Sequence, residues 1–119
     1  MAMMHFYGQP LAPEQVARRR AVYDAVNTYV VADNVREKIR QHIDADAVDE
    51  ISQTVDTESL VLAPDGDSFQ VLANFYVTAT FDDAPAMPKH VGGVLELEGR
   101  IGPDNRAQID RARPLIVRS

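Results

Sequence analysis

The chain has 119 residues, 45% of them hydrophobic and 25% charged, which is the balance of a folded globular protein and not of a disordered one. It contains no cysteine, which excludes a disulfide framework and any thiolate metal or redox site. A net charge of −6 opposes non-specific attraction to nucleic acid, and no stretch approaches the roughly eighteen apolar residues of a membrane span.

This length predicts a single domain over 1–119, with a helical part over about 13–55 and an antiparallel sheet over about 58–117. The opening MAMMHFYGQP has neither the basic flank nor the apolar run of a signal peptide, so a cytoplasmic location is expected. Residues 1–57 and 58–119 each carry six Lys/Arg against nine Asp/Glu, and charge marks no boundary between them.

In the first half, apolar residues recur at helical spacing: Val16, then Val22, Val26, Tyr29 and Val30, then Val35, Ile39 and Ile43. Pro13 suits a first helical position, and Glu14 complements the positive end of the dipole, which predicts a helix over 13–31. Asn34 followed by Glu37 resembles a capping box ahead of a second helix over 35–43. Asp46 is expected to cap a third helix over 47–54 that turns Val48, Ile51 and Val55 inward. A single kinked helix is the rival reading, because neither Gly nor Pro occurs between residues 14 and 63.

Beyond residue 57 the period changes to two. Ser59–Ala63 reads as a short strand, and Pro64-Asp65-Gly66-Asp67 as a turn. Phe69–Phe81 then alternates without a break, with Phe69, Val71, Ala73, Phe75, Val77, Ala79 and Phe81 on one face. Thirteen residues at about 3.3 Å each span about 43 Å. A compact domain of this size is only about 35 Å across. The strand must therefore bend, for which Ala73-Asn74 is the expected place, or contain a bulge, or reach into a partner. A loop over 82–89, with Pro85 and Pro88, leads to a strand over 91–101. Its faces divide into Val91, Leu95, Leu97 and Ile101 against Val94, Glu96, Glu98 and Arg100. Gly102-Pro103-Asp104-Asn105 is a turn, and residues 106–117 form a last strand that Pro114 assigns to an edge.

The expected fold is therefore α+β: two to three N-terminal helices packed on one face of a four-stranded antiparallel meander with one long curved strand. In architecture, residues 13–117 resemble the cystatin-like and nuclear-transport-factor-like cones. They share no motif with them and lack the strand those cones place among their helices.

Candidate chemistry is sparse. The histidines are His5, His42 and His90. His42, Asp44 and Asp46 splay around a helix end, and a calcium loop would need Gly where Asp49 stands, so no metal is expected. Arg18-Arg19-Arg20 fan around a helix and read as a solvated face. Asp83 and His90 flank the loop at the sheet rim and are the candidate acid/base pair of an alternative reading, a cofactor-free lyase or isomerase. Arg111 and Arg113 share the parity of Ala107, Ile109, Leu115 and Val117. Two guanidiniums thus turn toward the apolar face, unless Pro114 shifts the register, and could clamp an anionic ligand. Leu72, Tyr76 and Val94 form an apolar group on the other face of the sheet, a candidate interface for a second copy.

No nucleophile elbow, P-loop or dinucleotide fingerprint occurs. No cofactor is expected, and the acidic balance disfavours a nucleic-acid role for Arg106, Arg111, Arg113 and Arg118. The expected function is a non-catalytic binding or assembly module, homodimeric through its sheet, with a small anionic ligand or a protein as further partners.

Overall fold

The computed structural model describes residues 13–83 and 86–118. His5 and Pro85 lie outside the described residues. Helix α1 (Pro13–Thr28) and helix α2 (Asp33–Ile43) precede five strands: β1 (Ala47–Val48), β2 (Ser52–Leu62), β3 (Ser68–Thr80), β4 (Lys89–Ile101) and β5 (Ala107–Arg118). The fold is α+β with an antiparallel sheet, as the change of period requires.

Each helix buries one i, i+4 pair against the sheet: Val22 and Val26 from α1, Val35 and Ile39 from α2. They are separate helices and not one kinked rod. The expected capping box does not form: α2 begins with Ala32 at the cap position and no side-chain cap, while Glu37 pairs with Arg40 one turn later. Helix α2 ends with Asp44 in the left-handed region (φ 56°), its N–H and that of Ala45 donating to Gln41 and Arg40 carbonyls. Arg18, alone of the arginine triplet, is a tether. Its guanidinium donates to the Gly66 carbonyl (Nε, 3.1 Å) and pairs with Asp67 (2.8 Å), joining α1 to the β2–β3 turn.

The third helix is a correction. Residues 47–48 pair with β3 at Thr80 and Ala79, and residues 52–62 form β2, which begins well before the expected Ser59. Val48, Ile51 and Val55 fit a helical stripe, yet the inward residues are Ile51, Gln53 and Val55, at period two. The polar Gln53 disguised that alternation, because it faces inward for a hydrogen-bonding reason. Its Nε2 donates to the carbonyls of Val26 (2.9 Å) and Tyr29 (2.5 Å) at the end of α1, and Asn27 in turn accepts the Val55 N–H (2.9 Å). Asp46 caps no helix. Its Oδ2 accepts the Asp82 N–H where the chain leaves β3.

Strand β3 is central, with β1 and β2 in succession along one side and β4 and then β5 on the other. The alternation read from the sequence is realised: Phe69, Val71, Ala73, Phe75, Val77 and Ala79 are all buried beneath the helices. The bend expected at Ala73-Asn74 is not a break in β3, whose register with β4 runs unbroken from Ser68↔Arg100 to Ala79↔Lys89. Irregularity falls in the flanking strands instead. In β2, residues 57–60 lie opposite Val71 alone, between the pairs Asp56↔Leu72 and Val61↔Gln70. Curvature of the whole sheet lets α2 touch both β1 and β5, on opposite sides of β3.

Strand β5 carries two bulges, and each has a chemical cause. A regular hairpin continued from Ile101↔Ala107 would set Glu98 opposite Asp110, carboxylate against carboxylate, and would turn Arg111 and Arg113 into the core. The bulge at Asp110 instead gives Glu98↔Arg111 and Glu96↔Arg113, and brings Ala112 inward. The second bulge, at Leu115, likewise turns Val117 inward and sets Arg118 beside Gly92 on the outer face. The expectation that two guanidiniums face the apolar side is therefore corrected. Pro114 does sit in an edge strand, next to the second bulge.

Both bulges press on glycines of β4. A Cβ on Gly99 would lie 2.0 Å from the Gln108 carbonyl oxygen and 2.7 Å from the Phe69 ring. On Gly93 it would lie 2.0 Å from the Ile116 carbonyl oxygen and 2.6 Å from the Phe75 ring. Phe69 and Phe75 are the β3 partners of these two glycines, so each ring lies over bare backbone as the sheet turns.

Candidate functional site

The helices fill the inner face, which leaves the outer face of the sheet as the candidate site. Its residues fall into rows set by register: Ser52–Tyr76–Gly92–Arg118, Thr54–Asn74–Val94–Ile116, Asp56–Leu72–Glu96–Arg113 and Val61–Gln70–Glu98–Arg111. Strand alternation brings Leu72, Tyr76 and Val94 together here, as the sequence implied. Tyr76 is 63% exposed, while Leu72 and Val94 are half-buried between their neighbours. Two further residues belong to the group, Ile116 (43% exposed) and Leu115 (45%). Sequence reasoning missed them because a plain strand parity separates Leu115 from Ile116; only the bulge places the pair beside Val94.

An ion-pair ladder begins in the row of Leu72 and runs on from there. Arg113 donates from Nε to Glu96 Oε1 at 2.7 Å, Arg100 from Nε to Asp110 Oδ2 at 2.9 Å, and Arg111 approaches Glu98 only to 4.0 Å. Among the described residues Glu96 is the one charged residue that is buried, at 9% exposure. The Arg113 guanidinium holds its carboxyl below the ordinary value, against the opposing effect of burial. The same contact raises Arg113, as Asp110 raises Arg100. The guanidiniums of Arg111 and Arg113 thus face this chain's own carboxylates on the outer face.

The ladder carries a pH prediction. A carboxyl whose folded value is depressed stabilises the fold above its unfolded value of about 4.3 and loses that contribution as pH falls through the folded value. Urea midpoints measured from pH 6 downward (about two units below 4.3 at the lowest) should fall less steeply for Arg113→Ala than for the wild type. Parallel profiles would show that the pair contributes nothing through protonation.

At the far end of the same face, Asp49, Glu50, Ser52, Tyr76, Val77, Thr78 and His90 line an open groove of about 490 Å³. His90 Nδ1 lies 3.5 Å from Thr78 Oγ1. Asp83 does not line this groove, and no hydrogen bond or ion pair joins it to His90 among the described residues. No group of three or more His, Asp or Glu side chains among the described residues is arranged to hold a metal ion. No helix among them is long and apolar enough to cross a membrane.

Compared with known proteins, the chain matches no family model, no curated protein and no solved structure.

Proposed function

We propose that this protein is a non-catalytic assembly module that pairs with a second copy of itself through the outer face of its sheet. The observation that carries this reading is the apolar group of Leu72, Tyr76, Val94, Leu115 and Ile116 on a face that the two described helices leave uncovered. Contiguous exposed apolar surface on a sheet marks an interaction site more than scattered single residues do. The edges of the sheet support the same choice. Strand β2 shifts its register over 57–60, and β5 has two bulges and Pro114, all features that discourage edge-to-edge pairing. Association is thereby steered to the face, and a two-fold arrangement is the simplest way for one surface to meet itself.

The test is mass against concentration in sedimentation or light scattering. The wild type is expected to be dimeric at micromolar concentration, and Val94→Asp to be folded yet monomeric, with at least a hundredfold weaker association, about 2.7 kcal/mol. A wild-type monomer at high micromolar concentration would overturn the proposal. So would a Val94→Asp variant that dimerises like the wild type.

A further inference from the structure

The outer face is electrically uneven, and the unevenness points to one orientation of the pair. At one end, Asp49 and Glu50 are exposed, and no cation pairs with either among the described residues. At the other, Arg111 is 74% exposed and approaches Glu98 only to 4.0 Å, leaving its guanidinium free to take a second carboxylate. Asp49 lies beside Thr78 on one side of β3, bonded through its N–H to the Thr78 carbonyl at 3.0 Å. Arg111 lies on β5 in the row of Gln70 and Glu98. The two are separated by about 26 Å along the strands (Thr78 to Gln70) and by about 14 Å across three strand spacings. The midpoint of that diagonal falls between Asn74 and Val94, within the apolar group.

Resting on the homodimer reading above, we infer that the two copies are set obliquely, so that Asp49 and Glu50 of each meet Arg111 of the other. A two-fold axis that turns one sheet face onto another lies in the plane between them. Drawn through the Asn74–Val94 pair, perpendicular to the Asp49–Arg111 diagonal, it carries each acidic end onto an arginine end. The same operation satisfies the apolar group. Val94 meets Val94 on the axis, and Ile116 falls over Gly92, which offers a side-chain-free hollow beside the Tyr76 ring. Tyr76 falls over the Arg113–Glu96 pair, where a guanidinium against an aromatic ring is favourable. Rotation about the strand direction itself lacks this match, since it keeps both acidic ends at the same end of the dimer.

Charge exchange tests the orientation apart from the dimer. Asp49→Lys with Glu50→Lys in one variant, and Arg111→Glu with Glu98→Gln in another so that the new carboxylate meets no like charge across the strands, should both fold, as circular dichroism would verify. Each variant alone is expected to self-associate at least tenfold more weakly than the wild type, because its inter-copy pairs become repulsive. Mixed in equal amounts, they should form a heterodimer at near wild-type strength, seen by native mass spectrometry. A dimeric wild type with both variants unaffected, or a mixture that fails to recover association, would overturn the orientation and leave the homodimer standing. A monomeric wild type would overturn both.

Discussion

Gly93→Ala and Gly99→Ala are each expected to lower the unfolding free energy by about 3 kcal/mol or more, read from urea denaturation, and Gly92→Ala to leave it nearly unchanged. In an ordinary strand, exchange of glycine for alanine is mildly favourable, because glycine loses the most backbone freedom on folding. The expected sign is reversed at 93 and 99 because the added Cβ would sit 2.0 Å from a carbonyl oxygen of β5. That obstacle is backbone, so trimming a side chain does not remove it. Gly93→Ala combined with Phe75→Leu should therefore be no better than additive, although the ring is also within 2.6 Å of the new methyl. At Gly92, on the outer face, the nearest atoms are the Phe75 oxygen and the Tyr76 ring at 3.4 and 3.5 Å, an ordinary contact. Equal stabilities for the 92 and 93 variants would show that β4 and β5 can separate at the bulge, and that the close approach does not hold the curvature of the sheet.

These glycines also show where sequence reading stopped. The long strand was legible because its alternation is undisturbed from Phe69 to Ala79 and every inward residue is buried. The outward group was legible for the same reason: parity on β3 and β4 puts Leu72, Tyr76 and Val94 on one face, whatever happens elsewhere. On β5, parity fails twice, because a bulge shifts every later residue to the other face. Glu98 opposite Asp110 in the regular register was the available signal that a bulge was needed, and it required pairing two strands, not reading one. Ile116, Leu115 and the true direction of Arg111 and Arg113 all followed from that unseen shift. The acid/base pairing of Asp83 with His90 rested on nearness in the chain, while the sheet gives His90 other neighbours, Thr78 and Tyr76 across the strands and Asp49 along the groove.

Gln53→Val is expected to cost about 2 kcal/mol of stability, although it would complete an apolar alternation from Ile51 to Val55 and raise the strand preference of β2. Two effects compete. Burying a β-branched side chain in a half-covered strand favours the fold by a fraction of a kcal/mol to about 1 kcal/mol. Against it stand the carbonyls of Val26 and Tyr29, which lose the Gln53 amide at the point where α1 ends and the chain turns toward α2. The Val26 carbonyl keeps the Tyr29 N–H at 3.3 Å, but the Tyr29 carbonyl loses its bond, and an acceptor left without a donor in a partly buried place costs about 1–3 kcal/mol, so the loss outweighs the gain. The position on the sheet sharpens the comparison. Thr54, one residue on, faces outward in the row of Asn74 and Val94, and Thr54→Val should be neutral or slightly stabilising. Amide exchange adds a local readout: if Gln53 holds the end of α1, its loss should speed exchange in the last turn of α1 more than in β3. A Gln53→Val protein as stable as the wild type, with exchange in α1 unchanged, would mean that the helix end is held without Gln53, by packing of Val22 and Val26 and by the Asn27–Val55 bond. The polar residue that concealed β2 from the sequence would then be an accident of composition instead of one of the bonds that join helix to sheet.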